Sequence, residues 1–345
     1  MAAAGCGTHT ARVVDRDGAT VAEADVLTEV EWSRELDEYS SARVLVEPSG
    51  DCCNRLQDVR AWRHELHIFR DGARVWRGPV IQPEWRNGEV EIFATDVLAW
   101  LDRRVPHNSI AFGDSDLTEI AEWLIEDGFA PDDPGHEVHI AGPAGVIGGR
   151  TYSERVGQTG DHLRDLAEAG LDYTAHGSTI ILLPENYRES VGRLTDADFP
   201  EGLVVAEDGS NVITRWIVAG DEEADVMEEA GGTDAYYGLL ERYVEQTSVK
   251  SSASALATAR AKLRASLPAP LFLDTQEVTL SPDAAVDVPT LIPGWCLDVT
   301  STATCRTVVQ RLKIIGVRVT ETGGSGDSPG QEKVQVQLAV SGAEV

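Results

Sequence analysis

Lysine is nearly missing from this chain. Only Lys250, Lys262, Lys313 and Lys333 occur in 345 residues, and the rest of the 29 basic side chains are Arg. Against them stand 58 Asp and Glu, a formal net charge of −29. Scarce basic surface argues against a protein that grips nucleic acid by neutralising phosphates, and against one drawn to anionic lipid. No apolar run approaches the roughly 20 residues of a membrane-spanning helix. The start, MAAAGCGTHTARVVD, has no basic segment followed by an apolar stretch, so no signal peptide is expected and synthesis in the cytoplasm is. Cysteine is sparse and unpatterned. Cys6, Cys52, Cys53, Cys296 and Cys305 are odd in number and lack metal-ligand spacing. Cys296 and Cys305 could face each other across a hairpin, but reduced thiols are the simpler expectation.

Catalytic patterns are also lacking. FGDSDL (112–117) has the look of a serine nucleophile block, but Ser115 stands where a helix begins and reads as a cap. A triad would need a late His, and the last is His176. His64 and His67 lie three apart in a strand and so point to opposite faces. His136 and His139 lie in a loop without the HExxH spacing. GPAGVIGGR (142–150) has no Lys-Ser/Thr of a P-loop. Paired carboxylates such as Asp196 and Asp198 carry little information in so acidic a chain, and no EF-hand spacing is present. The expectation is no enzyme, no cofactor and no metal.

What is present is enough to fold. Hydrophobic residues make up 42% of the chain and charged residues 25%, which builds ordinary cores and excludes wholesale disorder. The length suits two or three domains. In the first hundred residues Val26, Thr28, Val30 and Trp32, then Ala42, Val44 and Val46, recur with the period of a half-buried strand. Asp71-Gly72 and Asn87-Gly88 between β-rich runs predict hairpins, because both central residues of a type I′ turn need positive φ. Residues 106–200 change character. Asp116 or Ser115 can cap a helix to about Asp127 with Gly128 as its stop, PDDPGHEVHIAGPAGVIGG reads as loop, and a short helix near 161–169 leads into a hairpin at LDYTAHGSTIILLP. From 203 strands return in VITRWIVAG. The acidic 221–235 segment reads as an exposed loop, and a helix at about 252–267 carries Leu256, Ala259, Leu263 and Leu267 before Pro268. QEVTL, WCLDVT, TVVQRLKIIGVRVTET and EKVQVQLAV follow as strands, the last two joined by GGSGDSPGQ. Clustered Trp32, Trp62, Trp76, Trp85 and Trp100 read as core or sheet-face packing, with subunit contact as the alternative.

The run EWSRELDEYSSARVLVEPSG followed by HELHIFRDGARVWRGPVIQPEW resembles the N-terminal domain of tail-tip hub proteins of long-tailed bacteriophages. The matching positions are Trp32, Arg34, Arg70, Asp71, Gly72, Trp76, Gly78 and Pro79. GQTGDHLRDLAEAGLDYTAHGSTIIL is similar to that family's small helix-plus-hairpin domain, and LIPGWCLDV with RLKIIGVRVTET to its last barrel. The resemblance implies a mainly β fold with a small α+β insertion: a first tube-type β-barrel domain in 1–105, the insertion in 106–202, and a second tube-type barrel with one helix in 203–345. It implies a homotrimeric ring joining a six-fold tail tube to a three-fold tip and letting DNA pass. The implied partners are the distal tail protein, the tape-measure protein and tip or receptor-binding proteins, and the location is the virion tail tip. Some relatives carry a peptidase or fibre on a C-terminal extension. This sequence ends at 345 without one, so neither activity is expected here. A distal tail protein forming a hexameric ring is the alternative within the same assembly. A glycan-binding or glycan-cleaving β-sandwich is the alternative of another class, for which clustered Trp and carboxylates would suit.

Overall fold

The computed structural model describes residues 4–24, 27–47, 55–203, 205–207, 209, 212–220, 226–245, 252–266, 271–273, 278–303, 305, 307–323 and 331–340. The chain opens with β1 (His9–Asp15), β2 (Thr20–Ala24), β3 (Glu29–Glu35), β4 (Ser41–Val46), β5 (His64–Arg70), β6 (Ala73–Arg86) and β7 (Glu89–Thr95). The middle holds β8 (Ile110–Asp116), α1 (Leu117–Phe129), β9 (Glu137–Ile140), β10 (Ile147–Tyr152), α2 (Thr159–Ala167), β11 (Leu171–His176), β12 (Thr179–Pro184) and β13 (Ser190–Thr195). Then come β14 (Val205–Glu207), β15 (Arg215–Ala219), β16 (Met227–Gly231), β17 (Glu241–Glu245), α3 (Ser252–Ser266) and β18 (Leu271–Leu273). The chain closes with β19 (Val278–Thr279), β20 (Cys296–Ser301), β21 (Val308–Thr322) and β22 (Gln331–Val340). The fold is mainly β.

Contacts divide the chain into two units, Met1–Gly202 with Thr275–Ala339 and Leu203–Asp274 with Val340–Val345. The first is built on a 12-stranded sheet ordered β13-β20-β21-β3-β4-β7-β6-β5-β1-β2, with β22 against β21 and β19 against β22. Among the described residues this ladder is open. Its inward rows follow the two-residue period: Val30, Trp32 and Arg34 on β3, Ala42, Val44 and Val46 on β4, and His64, Leu66, Ile68 and Arg70 on β5 are all buried. β21 pairs with β3 from Gly316↔Glu35 to Thr322↔Glu29, so the C-terminal strands share one sheet with the N-terminal ones.

β6 is the bend in the sheet. Its first half pairs with β5 and its second with β7, with a bulge between Val80 and Gln82. The Asp71-Gly72 turn has φ of 50° and 80°, the double positive φ expected of it. At Asn87-Gly88 only the glycine is positive, at 83°, so that hairpin forms without the paired geometry expected of its two central residues.

Beside the sheet, α1, α2, β11 and β12 enclose a second core that includes Leu117, Ile120, Leu124, Leu163, Tyr173 and Leu182. Asp116 caps α1: its Oδ1 accepts from Thr118 N at 2.9 Å. Ser115 lies on β8 opposite Gly148, so the capping role allowed for Ser115 belongs to its neighbour. Gly128 does not stop the helix, which runs on to Phe129. A Cβ at Gly128 would stand 3.3 Å from Thr159 Cγ2, so the glycine admits α2's first turn. Part of the segment expected to be loop, Glu137–Ile140, is a strand paired in parallel with β12.

The second unit is smaller. β15 pairs with β16 and β17, and α3 packs on one face through Ala255 and Ala259 against Trp216, Val218 and Ala230. Residues 227–231 of the acidic segment therefore form a strand and not a loop, because β15 offers them a pairing edge. Residues 221–225, Val26, Leu267, Pro268 and the 324–330 tip lie outside the described residues.

Candidate functional site

Three charged residues occupy inward strand positions, and they organise what the hub-like motif positions do. Arg34, in step with Val30 and Trp32, is 1% exposed. Its guanidinium donates to three backbone carbonyls, of Pro289 at 2.9 Å, Leu291 at 2.7 Å and Val75 at 2.9 Å, and lies 5.0 Å from the Trp32 ring centre. Burial pushes Arg34 down to about 9, which leaves it charged at neutral pH. Arg70 makes a two-pronged pair with Glu332 at 2.7 and 2.8 Å. Glu332 also accepts from Gly5 N and Gly7 N at 2.9 and 2.8 Å. Burial alone would raise the Glu332 carboxyl, but the bonds from Arg70 and the Gly7 amide outweigh it and hold it below the usual range. A Cβ at Gly7 would stand 2.3 Å from Arg70 Nε, so this carboxylate cradle requires glycine. Trp32 Nε1 donates to His9 Nε2 at 3.1 Å, which assigns the ring proton to Nδ1, 2.6 Å from Glu321 Oε2. Together these contacts clasp the N-terminal segment and β5 to the β21–β22 hairpin.

The remaining motif positions build the neighbouring turn. Asp71 accepts from Thr8 N at 3.0 Å and Thr8 Oγ1 at 3.2 Å. Gly72 supplies the positive φ, and Trp76 is 3% exposed. A Cβ on Gly78 would fall 1.8 Å from the Thr95 carbonyl, so only glycine lets β6 cross the end of β7. Pro79 sits where β6 changes partners, opposite Glu65. All eight positions are thus used inside the chain. Sequence reasoning missed their partners His9, Glu321 and Glu332. The available signal was phase: in EKVQVQLAV, Glu332 stands in step with Val334, Val336 and Leu338.

The candidates for chemistry stay apart. Ser115 has no histidine among its hydrogen-bond partners, and His139 is exposed on β9. His64 is buried and accepts from Arg60 N at 3.0 Å, whereas His67 faces the other way toward Glu65 at 3.0 Å. His136 Nδ1 lies 2.8 Å from Asp133 in a local turn. Cys296 is buried at the far end of β20, where it pairs in register with Lys313. Cys305 is exposed beyond the Ser301↔Val308 end, so the two do not face each other and both thiols are free. Among the described residues no group of three His, Cys, Asp or Glu is placed to hold a metal ion.

Buried acids instead mark a joint. Asp37, at φ 61°, ties the β3–β4 turn to β11: its Oδ1 accepts from Tyr173 N at 2.9 Å, and Tyr173 Oη donates to its carbonyl at 2.5 Å. Burial pushes its carboxyl up to about 7, with nearby Asp172 adding to the rise. Lys313 answers Asp172 at 2.5 Å. Asp96, which accepts from Ser40 N and Leu98 N, is raised by burial to about 6.

No protein-family model and no curated protein sequence matches this chain. Solved structures do. The 43 kDa tail protein of prophage MuSo2 from Shewanella oneidensis superposes with a TM-score of 0.63 at 12% identity, covering 96% of this chain and 98% of that one. A tail protein from Neisseria meningitidis MC58 gives 0.61 at 13%, covering 95% and 96%. An Escherichia coli component of the type VI secretion system, described as structurally similar to the T4 bacteriophage tail proteins gp27 and gp5, gives 0.53 at 12%, covering 93% and 76%. At these identities the likeness is one of fold, and it spans nearly the whole chain.

Proposed function

We propose that this chain is a structural protein of a long bacteriophage tail, the hub of its tip, acting as a homotrimer with no chemistry of its own. The observation that carries this reading is the shared fold: two tail proteins match over at least 95% of both chains, and a third neighbour is itself likened to gp27 and gp5. The residues agree with that role. Charged side chains at inward positions are spent on holding one sheet together, and a β-rich protein whose described residues form no reactive constellation acts through its surfaces. In this reading β1–β7 contribute a first tube-type barrel within 1–105, residues 106–202 form the peripheral insertion, and strands after 203 contribute a second barrel. Three copies then present six barrels, a ring that joins a six-fold tube to a three-fold tip around the DNA path. The distal tail protein, the tape-measure protein and the tip or receptor-binding proteins are its neighbours.

Cryo-electron microscopy of assembled tails tests this directly. The expected result is three copies of this chain in a ring with pseudo-six-fold inner strands. Six equivalent copies would move the chain to the distal-tail position, and a location outside the tail would overturn the reading.

A further inference from the structure

Two surfaces outside the clasp have opposite character. The first belongs to the larger unit. Trp62 and Trp100 stack edge to face with ring centres 4.8 Å apart. Arg103 lies 5.1 Å over Trp62, and Arg16 and Arg104 lie 6.0 and 5.9 Å from Trp100. Beside Trp62 opens a cleft of about 500 Å³ lined by Asp15, Arg16, Asp17, Ala61, Trp62 and Arg63. Arg16 and Arg104 share Asp132, and Arg63 pairs with Asp15 at 2.8 Å. Arg103 is exposed, and its one contact of this kind is the indole face. Four Arg against three Asp leave the cluster positive in a chain of net charge −29. Trp62 also holds φ at 59°. A bulky residue rarely adopts that backbone conformation. The Trp62 indole is half-exposed at the cleft, and Arg104 Nε, on the Trp100 side, is buried without a hydrogen-bond partner.

The second surface belongs to the smaller unit. Its described residues 226–245 contain five Asp and Glu and one basic residue, Arg242. Arg215, between Glu229 and Glu241, offsets part of that charge. Within the same stretch Met227, Tyr236, Leu239, Leu240 and Tyr243 are exposed, Tyr236 at 85%. The loop that carries Tyr236, Leu239 and Leu240 is held in shape. Asp234 Oδ1 accepts from Tyr236 N and Tyr237 N at 2.7 and 2.9 Å, and Asp234 and Gly238 exchange backbone bonds at 2.8 and 3.0 Å. Leu240 N donates to Thr214 Oγ1 at 2.8 Å. An apolar tip fixed in water loses little further entropy on docking.

We propose that the acidic tyrosine tip around Tyr236 docks into the Trp62–Arg103 cleft of a second copy of this chain. Tyr, Trp and Arg are the residues that dominate interface energetics, and the charges are complementary: the described residues around the tip are net acidic, and the cluster around Trp62 and Trp100 is net basic. Because cleft and tip are different patches, the contact is head-to-tail, the kind of contact from which rings are built when its rotation closes. The proposal rests on the hub reading and names the surfaces that reading would use.

The test uses the full-length chain and native mass spectrometry with light scattering. R103E and Y236S each change an exposed side chain, so unfolding midpoints should match wild type. Each should weaken self-association roughly thirtyfold or more. Mixing the two is decisive. The R103E copy keeps a working tip and the Y236S copy a working cleft, so one-to-one pairs form, and the second contact is dead and no ring closes. R103K, which keeps the charge, should recover most of the wild-type assembly, and added salt should weaken it. Wild-type rings that survive both substitutions would overturn the surfaces while leaving the hub reading intact. A wild-type chain that stays monomeric at its highest soluble concentration, or a mixture that yields no pairs, also overturns the proposal. Tails whose ring holds six copies would instead strike at the hub reading.

Discussion

Arg34 and Asp37 sit three residues apart and handle burial in opposite ways. Arg34 stays charged because three carbonyls and an indole face replace its water. Asp37 has one amide and no cation in direct contact, so its carboxyl is raised to about 7. A carboxyl whose folded value lies above its unfolded 3.8 favours the folded state most when protonated. Its contribution is complete below about pH 4 and is lost as pH rises through 7. Asp96, raised to about 6, acts in the same direction. Asp37→Asn keeps the acceptor for Tyr173 N and tolerates the left-handed backbone, yet cannot ionise. Urea titrations from pH 4 to 8 should therefore show wild type losing stability relative to the variant, by an amount on the order of 3 kcal/mol. Equal pH profiles would show that Asp37 is hydrated and not a joint. Little of this was legible beforehand. Arg34 and Arg70 stand in the sequence as motif positions, but their buried role follows from strand phase, and the partners of Arg70 and Asp37, Glu332 and Tyr173, lie 262 and 136 residues away.

The elements were legible where a local rule determines them and obscure where a neighbour does. The hairpin at Asp71-Gly72, the inward rows of β3 from Val30 onward and of β4, and the β11–β12 hairpin follow from turn chemistry and period; Thr28, in the same period as Val30, is exposed before β3 begins. Glu137–Ile140 and Met227–Gly231 are short edge strands in polar, glycine-punctuated stretches. They exist because β12 and β15 offer open edges, which no local pattern announces. The sequence offers Asp116 or Ser115 as the cap of α1, and which of the two it is matters. Asp116 accepts from Thr118 N and also from Ala144 N and Gly145 N at 3.0 and 2.9 Å, so one carboxylate caps the helix and pins the loop before β10. Asp116→Ala should cost about 2 kcal/mol, at the upper end for a cap, whereas Ser115→Ala should stay within about 0.5 kcal/mol. Thermal unfolding of both variants checks this. If Ser115→Ala abolished a hydrolytic activity without changing stability, the reading of this chain as purely structural would fail.

At the scale of the whole molecule, the sheet that joins β3 to β21 closes a chain separation of nearly three hundred residues, and it was not legible because nothing in either strand names the other. The charge balance was legible from the start and has a consequence in the proposed ring. DNA carries one negative charge per roughly 1.7 Å of duplex axis. A channel lined with Arg would hold phosphates through released counterions, whereas carboxylates keep the duplex off the wall. The 29 basic residues are nearly all Arg, suited to fixed bidentate contacts more than to mobile surface charge, and several are already committed: Arg34 and Arg70 to the clasp, Arg16, Arg63 and Arg104 to the tryptophan cleft. The surplus of acid is therefore expected on the inner face of the ring, with Arg concentrated where copies meet. Counting Asp and Glu against Arg and Lys along the lumen of an assembled ring decides the first half, and a neutral or basic lumen would count against it. The second half is kinetic. Replacing lumen carboxylates by Lys should slow DNA ejection most at low salt, where counterion release is worth most, and ejection that proceeds unchanged in such tails would show that the acid serves only to keep the surface soluble.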